Sequence, residues 1–362
     1  MWFIKHIANM VLQPGRGRRV FVGVSGGVDS SVSALLLKLY GYDVTGVFIR
    51  TWQPDWIECT WRDERRDAMR VCAHLEIPFF ELDLEREYKE GVADYMIREY
   101  KQGRTPNPDV MCNREVKFGG FLKWALQQQG EYVATGHYAQ NKNGELCKGN
   151  DPLKDQSYFL WTLTKDQLKH VLFPVGHLPK TATRKIAKWY QLPTALKKDS
   201  QGICFIGEID MKDFLGHYIQ NEIGNVVDEQ GNIIGTHNGV LLYTLGERHG
   251  FTITAKGTHD APHYVIGKDI PNNTIIVSQK ELMSNNSQNV ELIDCVWRKE
   301  LSSELGYTAQ IRYHGELKSC TIKKITDNTC TVVFDTTDMT ISRGQSVVLY
   351  DGSICIGGGI VL

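Results

Sequence analysis

The chain has 362 residues, 42% hydrophobic and 23% charged, which excludes a disordered or fibrous protein and predicts a soluble chain of two or three domains. The chain has 41 lysine and arginine residues and 42 acidic residues, and its net charge of −1 does not indicate a nucleic-acid partner. Local basic patches would have to bind any nucleic acid. No apolar stretch approaches membrane-spanning length, and we expect no membrane association.

The N-terminal segment is basic. Residues 1–19 contain four Lys or Arg and no acidic residue, and we interpret residues 1–18 as a basic N-terminal extension. A mitochondrial transit peptide is the alternative, although the segment lacks serine. The nine cysteines of the chain include no Cys-x-x-Cys pair, which favours a reducing compartment, so we expect a cytoplasmic protein.

The next stretch predicts a phosphate-binding loop. Val20–Val24 is typical of a strand buried on both faces, and helical spacing of apolar residues follows as far as Tyr40. Ser25–Gly27 turns the chain between them. Unpaired N–H groups at the helix start, the helix dipole and nearby hydroxyls would together bind a phosphate. An ordinary helix start capped by Asp29 or Ser30 is the alternative.

The loop sequence Ser-Gly-Gly-Val-Asp-Ser, residues 25–30, lacks the lysine of the common phosphate loop. It resembles the Ser-Gly-Gly-x-Asp-Ser signature of the PP-loop ATP pyrophosphatases. That resemblance implies an enzyme that uses ATP with Mg²⁺, cleaves it between the α- and β-phosphates and leaves AMP on a substrate oxygen. It does not by itself indicate which substrate is adenylated.

Strands and helices alternate up to about residue 135. Further strands are predicted over Asp43–Arg50, Pro78–Leu84 and Tyr132–Thr135, and helices over Asp63–Leu75, Glu85–Gln102 and Lys117–Gln129. This alternation predicts a parallel sheet covered by helices, with ligands at the carboxyl ends of its strands. We assign residues 19–208 to this PP-loop catalytic domain.

The pattern changes from about Phe205. Residues 209–285 mix helix, loop and short strands, and we assign them to a small central domain. In residues 286–362, β-branched segments separated by turn residues predict an antiparallel β-barrel. Its predicted strands are Thr308–Tyr313, Cys320–Ile325, Thr329–Phe334, Ser346–Tyr350 and Ile354–Val361. The expected fold is therefore α/β, with a parallel-sheet domain, a central domain and a barrel.

Two cysteines lie in segments whose sequence is typical of a catalytic loop. In Gly103–Phe118, prolines restrict the chain and a rigid loop delivers Asn107, Asp109 and Cys112 before the next helix, whose dipole would favour the Cys112 thiolate. Cys204 lies between a polar and a hydrophobic run, as in a mobile catalytic loop. A buried structural cysteine is the alternative for each.

An adenylating loop and two thiols would suffice for sulfur insertion at a carbonyl. Adenylation converts the carbonyl oxygen into a leaving group, and a persulfide on one cysteine supplies the sulfur. A second thiol breaks the S–S bond by thiol–disulfide exchange, which leaves a disulfide between the two cysteines.

These motifs together resemble the tRNA-specific 2-thiouridylases, which convert the wobble uridine of certain tRNAs to 2-thiouridine. The likeness extends from about Arg19 to Val361. Its motifs are Ser25–Ser31, Gly103–Phe118, Ala134–Tyr138, Lys154–Leu160, Asp199–Gly207, Tyr243–Gly250, Tyr264–Asp269 and Gly357–Gly359. The resemblance implies ATP-dependent thiolation in the tRNA anticodon loop, with a central domain that binds tRNA and a separate protein that donates sulfur.

The resemblance also implies roles for individual residues. Cys204 would carry the persulfide, Cys112 would release the sulfur and form the catalytic disulfide with Cys204, and Asp109 would transfer a proton. The implied ATP-binding residues are Gly23, Val24, Ser25, Gly26, Gly27, Val28, Asp29, Ser30, Ile49 and Gly136. The residues implied to contact the target base or tRNA are Asn107, Pro108, Asp109, His137, Lys154, Asp155, Gln156, Arg312, Tyr313 and Gln345.

Some of these residues have structural alternatives. Asp155 would cap a turn, Arg312 would be a solvated barrel charge, and His137 would satisfy a core hydrogen bond. The chain also departs from the family pattern at three positions, with Ile49 in place of methionine, Glu247 in place of glutamine, and arginine at position 343 in place of proline. The negative charge of Glu247 argues against a direct phosphate contact there.

The segment from Lys180 to Lys198 contains six Lys or Arg and no acidic residue. A solvated helix face is the ordinary interpretation, but its position just before Cys204 favours contacts with an RNA backbone. A target uridine in a single-stranded loop could be turned out into a pocket at modest cost.

Three other functions stay open from the sequence. Another PP-loop enzyme, such as an amide-forming synthetase, would not need the two cysteines. A non-catalytic tRNA-binding protein would not release pyrophosphate. The sequence predicts no dedicated metal site, but an iron–sulfur cluster on Asp109, Cys112 and Cys204 is compatible with their spacing.

Overall fold

The computed structural model describes residues 14–57, 61–199, 204–205, 211–254, 261–279, 289–326, 328–336 and 341–362. Positions 1–13 of the expected N-terminal extension therefore lie outside the described residues. Positions 200–203 and 206–207 of the Cys204 motif also lie outside them. Within the described part of the chain, the strands form three sheets. No helix in those described ranges is long and apolar enough to cross a membrane.

The first sheet is parallel, as the alternating pattern predicts. Its strands are β1 (Arg19–Gly23), β2 (Asp43–Arg50), β3 (Phe79–Asp83), β4 (Tyr132–Ala134) and β7 (Val171–Leu172), in the order β3-β2-β1-β4-β7. Val20 and Val22 in β1 are fully buried because helices cover both faces. The helices of this domain include α1 (Val28–Leu39), α2 (Trp61–His74), α5 (Lys165–Leu168) and α6 (Lys180–Trp189). Helix α3 runs from Glu85–Tyr88 through a π-helical turn, Lys89–Ala93, into Asp94–Lys101, and helix α4 runs from Pro108 to Gln127.

The helix expected from Lys117 begins nine residues earlier. Helix α4 comprises Pro108–Met111, a π-helical stretch Cys112–Phe121 and Leu122–Gln127. Its start is fixed by Asn107, whose side chain accepts a hydrogen bond from the Val110 N–H at 3.2 Å, and by proline at the first helical position. The proline-rich sequence therefore starts the helix rather than delaying it.

The central part of the chain forms a second, mixed sheet after helix α7 (Met211–Gly216). Its strands are β8 (Gly224–Val227), β9 (Ile233–His237), β10 (Phe251–Ile253), β11 (Tyr264–Asp269) and β12 (Thr274–Ser278), in the order β10-β9-β8-β12-β11. Strands β8 and β12 pair in parallel, and the other neighbours are antiparallel.

The C-terminal strands close into a barrel, which confirms the predicted fold class. They are β13 (Asn289–Trp297), β14 (Tyr307–Gln310), β15 (Lys318–Ile325), β16 (Thr329–Phe334), β17 (Ser346–Asp351) and β18 (Ile354–Val361). The order is β13-β16-β15-β14-β17-β18, and antiparallel pairing of β13 with β18 closes the ring.

The barrel is joined to the first domain by a hairpin that the sequence analysis did not predict. Strands β5 (Ala139–Lys142) and β6 (Glu145–Lys148) extend the barrel sheet, with Cys147 paired to Ile354. Trp161 of the first domain is fully buried in a core cluster that also contains Val348 and Tyr350 of the barrel. The shared core fixes the barrel next to the loops at the carboxyl ends of the parallel strands.

Candidate active site

The phosphate loop lies between β1 and α1. Gly26 has φ = 70°, which glycine adopts without steric cost, and a Cβ there would lie 2.6 Å from the Glu64 carbonyl oxygen of α2. A Cβ on Gly27 would meet only the Ser25 hydroxyl within 4 Å, so the helix start is open on that side. Gly26 is thus required by the packing of α2, whereas Gly27 leaves room for a ligand.

Helix α1 begins at Val28, and Gly27 at its N-cap has no side chain to offer. The alternative of a start capped by Asp29 or Ser30 is therefore wrong. The Ser30 hydroxyl instead accepts from the Ser25 N–H at 3.3 Å and donates to the Gly27 carbonyl at 3.2 Å. The first N–H groups of a helix have no partner within it, and here they are positioned to bind an anion.

A network of five charged side chains lies beside this loop, and we call it the charge network: Asp29, Lys154, Lys180, Arg184 and Asp199. The Lys180 ammonium contacts Asp29 at 2.7 Å and Asp199 at 2.8 Å, and its side chain is 11% exposed. Lys154 contacts Asp199 at 3.1 Å, and Arg184 also binds it. Burial raises the pKa of Asp199, but hydrogen bonds from Lys180 and Lys154 outweigh it and lower the pKa to about 2.

The charge network changes the interpretation of the basic run from Lys180 to Lys198. Lys180 binds Asp29 of the phosphate loop and Arg184 binds Asp199, whereas Lys185 and Lys188 on the same helix are exposed. With three cations and two carboxylates beside an open helix start, the network suits a polyphosphate. Only the exposed lysines of this helix remain free to contact an RNA backbone.

Gly136 packs directly onto the loop. A Cβ there would lie 2.7 Å from the Ser30 nitrogen, so only glycine allows this approach. The neighbouring Tyr138 hydroxyl donates to Asp29 at 2.8 Å. Ile49 is 6% exposed with its side chain in the core, which leaves its backbone for any contact with a nucleotide.

The structure brings Cys112 and Cys204 together from segments 92 residues apart. Their sulfurs are 3.5 Å apart, with the Cys112 thiol donating to Cys204, and both thiols are free. Cys112 is fully buried and Cys204 is half-buried. The pair needs an approach of about 1.5 Å to form a disulfide.

The two thiols differ in acidity. Burial first, and then the neighbouring Cys204, raise the pKa of Cys112 well above its ordinary value. The hydrogen bond from Cys112 lowers the pKa of Cys204 against the effect of burial, with Lys117 acting in the same direction. The expectation that a helix dipole favours the Cys112 thiolate is wrong, because Cys112 lies one turn inside α4 and is buried. Cys204 is therefore the more acidic thiol of the pair.

Three side chains hold the dipeptide Cys204–Phe205. The Asp109 carboxylate accepts from the Cys204 N–H at 3.1 Å, the Tyr88 hydroxyl donates to the Cys204 carbonyl at 2.8 Å, and the Gln53 amide donates to the Phe205 carbonyl at 3.2 Å. Burial raises the pKa of Asp109, although the Cys204 N–H and Lys117 oppose it. A carboxyl with a raised pKa beside two sulfurs is suited to proton transfer.

The side chains of residues 154–156, expected to meet tRNA, are half-buried and contact other groups of the protein. Lys154 belongs to the charge network. The Asp155 carboxylate accepts from the Gly149 N–H at 2.8 Å and the Ser157 N–H at 3.0 Å, so it caps a turn, and the Gln156 side chain accepts from the Tyr138 N–H at 3.0 Å. Asp155 and Gln156 use these side-chain oxygens within the protein, whereas the Lys154 side chain is 41% exposed beside Asp199.

His137 is a core histidine. Its ring lies near Phe118 and Phe173, and its Nδ1 is 2.7 Å from the Thr135 hydroxyl. Burial and, second, Lys117 lower its pKa well below the ordinary value, so the ring is neutral. With 8% exposure, its side chain is not placed to contact tRNA.

The barrel residues occupy different positions at the site. Arg312 is exposed, whereas the Tyr313 ring packs on Phe159 at 4.3 Å between centroids. Burial, and then Asp155 and Asp109, raise the pKa of Tyr313 to about 12. Gln345 donates to the Thr105 carbonyl at 2.8 Å and so supports the loop before Asn107.

Four residues of the site were missed by the sequence analysis or interpreted differently: Tyr88, Lys117, Tyr138 and Lys180. Tyr88 and Lys117 lie on helices with ordinary amphipathic patterns, so no local signal distinguishes them. Glu247, where the family pattern has glutamine, forms an ion pair with Lys212 at 2.6 Å and accepts from the Thr244 N–H, which gives its charge a partner within the central sheet region.

A parallel sheet with a Ser-Gly-Gly turn after β1, an open helix start and a cationic network defines a nucleotide-binding α/β protein of the PP-loop class. Three family models match the chain: the tRNA methyl transferase HUP domain over residues 18–208, the tRNA methyl transferase PRC-barrel domain over residues 212–279, and the aminomethyltransferase beta-barrel domain over residues 287–361.

Curated relatives are similar over almost the whole chain. The tRNA-specific 2-thiouridylase MnmA of Oceanobacillus iheyensis is 43% identical over 97% of this chain and 96% of its own length. The relative from Geobacillus kaustophilus is 44% identical over 95% and 94%, and that from Francisella philomiragia is 42% identical over 96% and 100%. The chain belongs to the tRNA-specific 2-thiouridylase family.

Proposed function

We propose that this protein catalyses the ATP-dependent 2-thiolation of the wobble uridine in the tRNA anticodon loop. The observation that carries the proposal is the contact between the Cys112 and Cys204 sulfurs at 3.5 Å, in a chain whose relatives are named 2-thiouridylases. The family models mention methyl transfer, which does not require a pair of thiols. A thiol of lowered pKa beside a second thiol fits sulfur transfer.

In the first half-reaction, the uracil O2 attacks the α-phosphorus of ATP. The new O2–P bond forms as the α–β phosphoanhydride bond breaks, and pyrophosphate leaves. The proposed phosphate-binding residues are Gly23–Ser30, with the backbone at Ile49 and Gly136 near the adenosine. The N–H groups at the α1 start and the Lys180 ammonium stabilise the negative charge, and Mg²⁺ enters bound to ATP, with Asp29 as the acidic side chain of the loop.

Asn107, Pro108 and Asp109 are proposed to contact the target base. Adenylation of O2 removes the N3 proton of the uracil, and the buried Asp109 carboxylate is the proposed acceptor. Its raised pKa makes it a stronger base than an exposed aspartate. Asn107 uses its side-chain oxygen for the helix N-cap, and its side chain also hydrogen-bonds Tyr158, so both contacts orient its amide group at the site.

In the second half-reaction, the outer sulfur of a persulfide on Cys204 attacks C2 and AMP leaves. The Cys112 sulfur then attacks the Cys204 sulfur, the bond between Cys204 and the transferred sulfur breaks, and the thiocarbonyl of 2-thiouridine is released. Asp109 returns the N3 proton to the released 2-thiouridine and takes the proton of Cys112, and a Cys112–Cys204 disulfide remains. Two electrons from a cellular thiol reductant restore both thiols before the next turnover.

We propose two macromolecular partners, a tRNA and a sulfur-donor protein that carries a persulfide. The exposed Arg312 of the barrel is accessible to RNA, and the neighbouring Tyr313 packs on Phe159. For Lys154, Asp155, Gln156, His137 and Gln345, a tRNA contact requires that the contacts described above rearrange. The named relatives are bacterial and we expect the protein to act in the cytoplasm; the mitochondrial alternative has no support in the comparisons.

The decisive experiment compares Cys204→Ser with Cys147→Ser, a matched change at a buried cysteine of β6. Cys204→Ser is expected to abolish 2-thiouridine formation, measured by nucleoside mass spectrometry, while ATP- and tRNA-dependent pyrophosphate release continues. Cys147→Ser is expected to retain both. Normal thiolation by Cys204→Ser would overturn the persulfide assignment.

Two outcomes would favour the other functions. A wild-type protein that releases no pyrophosphate with ATP and tRNA would be a non-catalytic binder, and one that consumes ammonia would be an amide-forming synthetase. The described residues contain no group of three His, Cys, Asp or Glu side chains able to hold a metal ion. Thiolation by protein purified anaerobically without iron would dismiss the iron–sulfur alternative.

A further inference from the structure

Lys117 is a cation in the cysteine site to which the mechanism above gives no role. It follows Cys112 by five residues on α4. In an α-helix, side chains five residues apart point about 140° away from each other. Cys112–Phe121 is π-helical, and its i→i+5 hydrogen bonds bring residue 117 back over residue 112. The local helix geometry therefore places a lysine on the same side as the thiol.

The contacts of Lys117 are with the catalytic groups. Its side chain hydrogen-bonds to Cys204, and its ammonium lies 5.6 Å from the centroid of the Phe205 ring. Burial lowers the pKa of Lys117, but Cys204, Cys112 and Asp109 raise it by more, so the amine stays protonated. His137, the other titratable group affected by Lys117, is neutral.

We propose that Lys117 is a further catalytic residue, whose ammonium group stabilises negative charge at Cys204, on its own sulfur when the thiolate accepts sulfur and on the outer sulfur when the persulfide delivers it. The proposal rests on the sulfur-transfer function proposed above. A thiolate enclosed by protein is unfavourable without a neighbouring cation. The hydrogen bond from Cys112 alone cannot serve in the persulfide state, because Cys112 must then lose its own proton.

The sulfur-accepting step follows from this arrangement. The Cys204 thiolate attacks the outer sulfur of the persulfide on the donor protein, and a new S–S bond forms on Cys204. The donor's own S–S bond breaks, and its cysteine leaves as a thiolate that takes the proton lost by the transferred outer sulfur. The negative charge passes to the outer sulfur on Cys204, beside the Lys117 ammonium, and no external oxidant or reductant is consumed.

The test measures the alkylation of Cys204 by iodoacetamide from pH 5 to pH 9 in the full-length protein, resolved by peptide mass spectrometry. At pH 7 Lys117→Met is expected to slow Cys204 alkylation at least tenfold and to shift its pH profile upward, and Lys117→Arg to retain most of the reactivity. Lys123→Met, an exposed lysine of the same helix, is the matched control and is expected to match the wild type. An unchanged profile in Lys117→Met would overturn the proposal.

Folding defects do not obscure this test. If Lys117→Met is unstable, the wild-type protein still decides, because an ordinary thiol profile for Cys204 in it contradicts the proposal. Alkylation requires neither ATP nor tRNA, so it reports on Lys117 even if the wild type fails to thiolate tRNA. That second failure would remove the proposed function and leave the Lys117–Cys204 contact intact.

Discussion

The Gln345 side chain donates a hydrogen bond of 2.8 Å to the Thr105 carbonyl, across 240 residues of sequence. The Thr105 N–H in turn donates to the Arg343 carbonyl at 2.8 Å. A barrel turn thus holds the segment that leads into Asn107 and Asp109. The last domain of the chain participates in the geometry of the first, and the site depends on both.

Gln345→Ala should therefore impair catalysis more than tRNA binding. Loss of one hydrogen bond to a positioning loop costs about 1 kcal/mol, or roughly fivefold, which we expect in kcat for thiolation. Gln310→Ala, which removes a comparable amide bond to the Gly315 carbonyl within the barrel, is the matched control. A selective rise in the Kd for tRNA with unchanged kcat would instead make Gln345 an RNA contact.

Lys180 distinguishes the two interpretations of the basic helix. Removing its ammonium leaves Asp29 and Asp199 facing each other without a shared cation, beside the phosphates. Lys180→Ala is expected to weaken ATP binding at least tenfold, about 1.4 kcal/mol, in isothermal titration. Lys185→Ala on the exposed side should leave ATP binding unchanged. Equal ATP affinities in the two variants would contradict the assignment of Lys180 to the nucleotide.

Arg298 joins the barrel to the catalytic domain. Its buried guanidinium donates to the carbonyls of Trp161 and Leu163 at 2.7 Å and of Cys355 at 2.8 Å. Arg298→Lys cannot reproduce this fork and should lower the free energy of unfolding by about 2–4 kcal/mol, measured by urea denaturation. The exposed Arg312→Lys should change it by less than about 0.5 kcal/mol.

His177 should make stability depend on pH. Burial lowers its pKa to about 4, and neither ring nitrogen has a hydrogen-bond partner among the described residues. The unfolded state therefore binds the proton more readily, and the stability that His177 contributes is present above about pH 6.5 and is lost as the pH falls towards 4. Between pH 7 and pH 5, the melting temperature should fall less for His177→Gln than for the wild type. The fall that remains in the variant would come in part from the buried His137. An identical loss in both proteins would exclude this role.

Local sequence was enough to predict most of the strands and helices and the class of reaction. The strand over Asp43–Arg50 and the barrel strands over Thr329–Phe334 and Ile354–Val361 have the predicted bounds, because periodicity and turn residues are local properties. The phosphate loop and the two cysteines were recognised from short motifs. The boundary of α4 was wrong because one asparagine and one proline can start a helix as well as interrupt it.

The sequence alone determined the fold class, the glycine loop and the family, since each is encoded in contiguous residues. Only the tertiary structure decided which groups meet: that Lys180 binds Asp29 of the phosphate loop, that His137 lies in the core, and that Cys204, with Cys112 and Lys117 beside it, is the more acidic thiol. Acidity and contact depend on burial and on charges brought from distant segments. Those are properties of the packed chain, which no single stretch of it contains.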